Sequence, residues 1–299
     1  MPRAAGFERP ADYAVSTAIP SGDTVGLPGL KPACFMTSWR RFPPATREVQ
    51  YDEKWSFVYK KEKNCDPENP ADRHRGDCWD HVALDAEHRL VLCVVPGKRT
   101  GEHVRAIVED VWKRTEGRIL TLITSDEYAA YKTAILTVYG VTVTPPRTGK
   151  RGRPKGAYQV PPETLNYATV EKVRENGKVV EINFCVVFGT MESVKAALES
   201  STASRAINIA FVERQNGTDR NRNARKVRKT YCFSKDWKFH EAVTYFTLYS
   251  YNFCWSVRTL HTPNEEGQWQ DRTPAMAAGL TDHVWCLAEW LALPAVQRS

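Results

Sequence analysis

The sequence lacks the features that mark membrane, secreted and zinc-finger proteins. No apolar stretch approaches the roughly 18 residues of a membrane-spanning helix, because charged residues interrupt every candidate. The first residues show no charged segment followed by an apolar one, so we expect no secretory signal. None of the eight cysteines lies three positions from another, which leaves no CxxC pair for zinc or redox chemistry. We therefore expect a cytoplasmic chain with reduced cysteines and no membrane partner.

Acidic residues are the scarcer charged class. The 299 residues include 42 Lys and Arg against 35 Asp and Glu, a net charge of +7. Hydrophobic residues make up 42% of the chain, enough for a buried core, which excludes a wholly disordered protein. The basic balance favours a polyanionic partner such as nucleic acid.

Four stretches of the chain differ in pattern. Residues 1–45 hold seven of the 18 prolines and no regular period, which predicts an irregular arm. Residues 46–144 predict strands and helices in the order of a layered α/β sheet. Residues 145–205 predict an insertion made of a basic Pro/Gly loop and a β-hairpin, and residues 206–299 the remaining helices. The predicted fold class is α/β, with a mixed five-stranded sheet flanked by helices.

Three local expectations refine this picture. Val141–Thr144 predicts the fifth strand of the sheet. Ala168–Phe188 predicts the hairpin, because Asn176-Gly177 between alternating runs is a strong turn signal. We expect no helix between the fifth strand and residue 205.

Three acidic residues stand at the ends of predicted elements. Asp52 opens the first strand, Asp126 follows the fourth strand, and Glu213 leads the helix after the insertion. Sites in open α/β sheets form at the carboxyl ends of strands. Carboxylates that converge there can hold two divalent ions roughly 4 Å apart, and such ligands suit Mg²⁺ or Mn²⁺. The alternative is that each is an ordinary surface acid at an element end.

Four segments match, in order, the motifs of one enzyme family. They are Asp52–Val58, Thr124–Tyr131, Phe211–Asn216 and Arg272–Leu280, within a region from about Val49 to Leu291. In these segments the chain resembles the DDE transposases of bacterial insertion sequences, whose catalytic core is ribonuclease-H-like. The resemblance implies that Asp52, Asp126 and Glu213 are the catalytic triad and ligate two Mg²⁺ or Mn²⁺ ions.

The resemblance also implies an activity and its partners. Such an enzyme cleaves DNA strands at the ends of an insertion sequence and transfers them to a target. Its expected partner is double-stranded DNA, on which it assembles as a homo-oligomer, in the bacterial cytoplasm at the nucleoid.

Several alternatives stay open. Glu53 and Glu127 adjoin the aspartates and could substitute for them as ligands. The chain could be an inactive DNA-binding transposase remnant or regulator: residues 1–45 show no helix-turn-helix or zinc-ribbon pattern, which supports this alternative, whereas the complete triad argues against it. A structure-selective nuclease of the same fold is the third reading.

Two basic segments predict DNA contacts. The first resembles an AT-hook, whose extended Arg-Gly-Arg lies in a narrow minor groove, and supplies Arg151, Arg153 and Lys155. The second follows the glutamate at a density that suits phosphate contacts. Its candidates are Arg214, Asn216, Arg225, Lys226, Arg228 and Lys229. The alternative for both segments is a solvated basic surface.

Overall fold

The computed structural model describes residues 45–145 and 156–292, all within one compact unit. The predicted arm at 1–44 and the AT-hook-like residues Arg151, Arg153 and Lys155 lie outside the described residues. Within the described ranges, no helix combines the length and the apolar character needed to cross a bilayer.

Six strands form the central sheet. They are β1 (Glu48–Val58), β2 (Gly76–Asp85), β3 (Leu90–Gly97), β4 (Leu122–Asp126), β7 (Tyr167–Glu175) and β8 (Lys178–Phe188). Two smaller sheets pair β5 (Val141–Val143) with β6 (Tyr158–Val160), and β9 (Thr262–Pro263) with β10 (Trp269–Gln270).

The α-helices of the described residues lie before and after these strands. They are α1 (Gly101–Arg114), α2 (Ala130–Tyr139), α3 (Met191–Ser200), α4 (Ala210–Arg222), α5 (Trp237–Cys254), α6 (Pro274–Ala277) and α7 (Leu287–Ala292). Short 3₁₀ turns occupy Glu62–Asn64, Pro70–His74, Ala224–Lys226 and Arg258–Leu260.

The central sheet is mixed, in the order β3-β2-β1-β4-β7-β8. Neighbours are antiparallel from β3 to β1, parallel from β1 through β4 to β7, and antiparallel again between β7 and β8. This arrangement confirms the predicted mixed α/β class and is consistent with a ribonuclease-H-like fold. Its parallel strands end at the same edge, where ligand sites of such sheets form.

Helices cover both faces of the sheet. On one face, α1 buries Val104, Ile107, Val108 and Val111, a stripe at helical spacing that packs with α2. On the other face, α3, α4 and α5 pack over a second apolar cluster. Strand β2 contributes to both clusters through alternate residues, because successive side chains of a strand point to opposite faces.

Two predictions about the sheet are wrong. Val141–Val143 is not its fifth strand: the segment is short and largely exposed, and it pairs with β6 alone. The hairpin is not appended to the core, because β7 pairs in parallel with β4 and buries Tyr167–Val170. The sheet therefore has six strands, and β7 is its fifth.

The hairpin itself is confirmed. Strands β7 and β8 are antiparallel, and Asn176 and Gly177 both have positive φ, 51° and 79°, as a tight hairpin turn requires. The missed element is α3, which begins at a capping box between Thr190 and Ser193 and buries Val194.

Candidate active site

The start of α4 is fixed to β1 by one side chain. Gln50 Oε1 accepts from the backbone N–H groups of Phe211 and Val212, at 3.1 and 3.2 Å. These are among the N–H groups that have no partner within a helix. The Gln50 amide also donates to the Asn208 carbonyl at 3.0 Å. Gln50 therefore sets where α4 begins relative to the sheet.

Two further contacts continue this alignment along β1. Asp52 Oδ2 accepts from Asn216 Nδ2 at 2.8 Å, and Lys54 Nζ donates to Asp219 Oδ2. Alternate residues of a strand share one face. One face of β1 therefore contacts α4 through three successive side chains. Their partners on α4 lie both before and after Glu213 in the sequence.

The predicted acidic trio comes from three adjacent elements. Asp52 is the fifth residue of β1 rather than its first, Asp126 is the last residue of β4, and Glu213 lies in the first turn of α4. Gln50 pairs with Thr124 in the parallel ladder, so Asp52 and Asp126 both lie two residues beyond a matched pair. They therefore occupy equivalent positions on neighbouring strands, beside α4.

The carboxylates interact electrostatically. Burial raises the pKa of Asp52 to about 7, and the charges of Asp126, Glu53 and Glu213 add to the effect, while the Asn216 hydrogen bond opposes it. Burial also raises the pKa of Asp126, with a contribution from Glu213. Repulsion of this kind is relieved by protons or by a cation.

Two basic residues that the sequence did not suggest accompany the trio. Arg99 Nη2 lies 3.5 Å from Asp126 Oδ2 and 3.1 Å from Glu53 Oε2. Lys172, on β7, pairs with Glu213. Both sit on strand or loop segments far from the acids in sequence, so no local pattern could have indicated these pairs.

The neighbouring acids differ in exposure. The Glu53 side chain is almost completely buried beside Arg99, and its pKa is raised by burial and by Asp126. Glu127 is exposed. That either residue substitutes for a member of the trio stays a prediction. Glu53 is the better placed of the two, because Arg99 contacts both it and Asp126.

A different group of ligand-type atoms is closer together. Among the described residues, the donor atoms of Cys78, Asp80 and His240 all lie within 4.8 Å of one another. Asp80, however, already accepts from Lys226 at 2.5 Å and lies 3.4 Å from Lys54. Two ammonium groups compensate its charge, so this group belongs to a buried ionic cluster.

That cluster, the buried charge quartet, consists of Lys54, Asp80, Asp219 and Lys226. All four side chains are almost completely inaccessible to solvent. Burial disfavours the charged carboxylates, but Lys226 and Lys54 outweigh it and hold the pKa values of Asp80 and Asp219 low. Two positive and two negative charges balance, which joins β1 and β2 to α4 and to the turn that follows it.

Two of the residues predicted to contact DNA have buried side chains. Lys226 is buried within the quartet and also donates to Thr244 Oγ1 at 2.5 Å, so it does not reach solvent. Asn216 is buried too and donates to Asp52, while its Oδ1 has no hydrogen-bond partner. Composition showed a basic segment, but not which of its members turn inward.

The other predicted contacts remain at or near the surface. Arg214, Arg228 and Lys229 are exposed. Arg225 is partly buried, with its guanidinium 5.7 Å from the centre of the Phe239 ring. Arg214 lies within α4 and the other three follow it on the chain, and their contact with DNA stays a prediction.

The raised pKa of Asp52 predicts a pH-dependent stability. Between about pH 4 and pH 7 the folded protein keeps a proton that the unfolded chain has released, so stability falls as pH rises. Asp52→Asn removes this penalty. In EDTA, we expect the melting temperature of Asp52→Asn to gain on that of the wild type from about pH 4.5 to about pH 7.5. A difference that stays constant with pH would contradict the shift.

No protein-family model matches the sequence, and no curated protein matches it. Two similar solved structures are a Mos1 transposase paired-end complex with left transposon end, 15% identical with a TM-score of 0.21, and a pre-cleavage Mos1 transpososome, 14% identical with the same score. The first match covers 41% of this chain and 45% of that chain, and the second 41% and 46%. A Mos1 mariner paired-end complex with Mn is 16% identical, with a TM-score of 0.21 and 46% of each chain covered. This chain therefore matches less than half the length of each of those proteins, and a likeness at these scores assigns no family to it.

Proposed function

We propose that the chain is a DDE-type, metal-dependent polynucleotidyl transferase that cleaves DNA strands. The observation that carries the proposal is the placement of Asp52 and Asp126 at equivalent positions on neighbouring parallel strands, beside the first turn of α4, which holds Glu213. Buried carboxylates that repel one another are destabilised unless a cation joins them, and carboxylate oxygens are the ligands that Mg²⁺ and Mn²⁺ prefer.

The residues around the trio suit this chemistry. Asp52, Asp126 and Glu213 would hold two divalent ions, which when bound activate the attacking oxygen and stabilise the leaving oxygen. Asn216 holds the Asp52 carboxylate in one orientation through its 2.8 Å hydrogen bond. Arg99 and Lys172 balance part of the negative charge of the acids, and with the metal ions bound they would be available to contact phosphate oxygens.

The wider proposal extends to the substrate. Arg214, Arg225, Arg228 and Lys229 would contact phosphates of double-stranded DNA beside the trio. Water would attack first to free a 3′-hydroxyl, which would then attack the target strand. Cleavage at insertion-sequence ends and assembly of a homo-oligomer on DNA belong to this same proposal.

The decisive experiment separates cleavage from binding. The full chain is incubated with end-labelled duplex DNA in Mg²⁺, Mn²⁺ or EDTA, and nicks bearing 3′-hydroxyl ends are scored. We expect nicking in either metal and none in EDTA. Duplex binding without nicking in any metal would contradict the enzyme and favour the inactive remnant. Nicking that depends on DNA shape rather than on an element's ends would favour the structure-selective nuclease.

Binding should depend on the exposed basic residues. Arg225→Ala/Arg228→Ala/Lys229→Ala removes three of them, and we expect weaker duplex binding and a salt slope smaller by about 2 to 3, because fewer counterions are released. The matched control is Lys113→Ala/Lys132→Ala, two exposed residues on α1 and α2, the opposite face of the sheet. Equal slopes for both variants would show that phosphate contacts lie elsewhere.

A further inference from the structure

A row of aromatic rings lies along the end of β1. The Trp55 and Phe57 rings have centroids 5.8 Å apart, and the Phe233 ring lies 5.0 Å beyond Phe57. The segment that carries Phe233 runs beside the end of β1, where Tyr59 N donates to the Ser234 carbonyl at 2.7 Å. All three rings are partly exposed.

A lysine lies at each end of this aromatic row. Lys61 Nζ is 5.8 Å from the Trp55 ring centre, and Lys235 Nζ is 3.3 Å from the centre of Phe233. Both lysines are exposed, so their ammonium groups can leave the rings for another anion without disturbing the core. The row therefore consists of three aromatic rings with one lysine at each end.

The row lies further along β1 than the acidic trio, on the other face of the strand. Trp55 lies three residues beyond Asp52 on β1, a distance of about 10 Å along a strand. Glu53, on the same face of the strand as Trp55, pairs with Arg99, which also contacts Asp126. Because Trp55 and Asp52 are an odd number of positions apart, their side chains lie on opposite faces of β1, and the row is on the face that carries Glu53.

The composition of this face distinguishes among ligands. In a duplex, base faces are stacked inside the helix and inaccessible to protein rings, whereas an unpaired strand offers its bases for stacking and its phosphates to lysines. The five side chains therefore fit single-stranded nucleic acid better than a duplex.

We propose that the aromatic row of Trp55, Phe57 and Phe233, with Lys61 and Lys235, binds a single-stranded nucleic-acid segment on the face of β1 opposite Asp52. Bases stack on the rings and the backbone runs along the two lysines. This binding goes beyond the proposed strand cleavage and requires neither the acidic trio nor a metal ion.

The test measures binding of a fluorescein-labelled thymidine oligomer by anisotropy in EDTA, so that it is independent of catalysis. Trp55→Leu/Phe57→Leu keeps apolar side chains but removes two π faces, and we expect its Kd for the oligomer to rise roughly tenfold or more. Trp55→Tyr, which keeps a ring, should retain most of the affinity. Lys61→Ala/Lys235→Ala should lower the salt slope by about 1 to 1.5.

Controls separate stacking from loss of structure. Trp269→Leu removes an exposed tryptophan on β10, outside the row, and should bind the oligomer as the wild type does. Duplex binding and the melting temperature should be unchanged in Trp55→Leu/Phe57→Leu. Equal oligomer affinity of this variant and the wild type would overturn the proposal, as would a wild type that does not bind the oligomer at all. Failure to nick DNA would leave the proposal untouched, because the assay contains no metal.

Discussion

Asp126→Asn is expected to abolish metal-dependent DNA cleavage while leaving duplex binding nearly intact. The change removes a charge that would ligate metal but keeps the size of the side chain. Substitution of a residue that only orients a metal ligand typically lowers metal affinity or activity by roughly 10- to 100-fold. Loss of a ligand itself should cost more, so we expect the nicking rate to fall by at least about a hundredfold. Glu213→Gln should behave in the same way.

The structure adds an expectation about the stability of this variant. Asp126 is among the groups that raise the pKa of Asp52, so its removal relieves repulsion at the site. Asp126→Asn should therefore melt at the same temperature as the metal-free wild type or higher. A catalytic defect without loss of stability separates a role in chemistry from a role in folding.

A neighbouring acid supplies the matched control for the cleavage assay. Glu127→Gln removes the same charge one residue away, from an exposed side chain. We expect it to nick DNA at the wild-type rate. If Asp126→Asn nicks as fast as Glu127→Gln, the trio is not catalytic, and an assignment to Glu53 would have to be tested next.

The parts of the fold that could be predicted from sequence are those encoded locally. The apolar stripe Val104–Val111 predicts α1 because burial of one helix face follows from spacing alone. Asn176-Gly177 predicts the hairpin because few residue pairs adopt positive φ. A local signal does not show which strands are neighbours in a sheet. For this reason the sequence predicts β7 as part of an insertion, whereas it pairs with β4 in the central sheet.

The site shows the same limit. The sequence predicts its acids because they stand near the ends of predicted elements. Arg99, Lys172 and Gln50 reach the site through strand register and helix placement, which depend on the whole sheet. The Lys226 side chain points into the protein because it pairs with Asp80, a residue 146 positions away in the sequence.

The last prediction concerns the buried charge quartet. Lys226→Met leaves two buried aspartates with one lysine, and an uncompensated buried charge typically costs about 3–5 kcal/mol. We expect a loss of this size in the free energy of unfolding, measured in urea. The exposed Lys229 is the control: Lys229→Met should change stability by no more than about 0.5 kcal/mol.

A double variant distinguishes lost compensation from lost packing. Lys226→Met/Asp80→Leu removes one charge of each sign and leaves Lys54 paired with Asp219. Because replacing a whole buried ion pair by apolar residues is often neutral, the double variant should be more stable than Lys226→Met alone. If instead the two substitutions add, the quartet does not act as a coupled unit. Since Asp219 lies on α4 six residues after Glu213, the double variant should also retain more nicking activity than the single one.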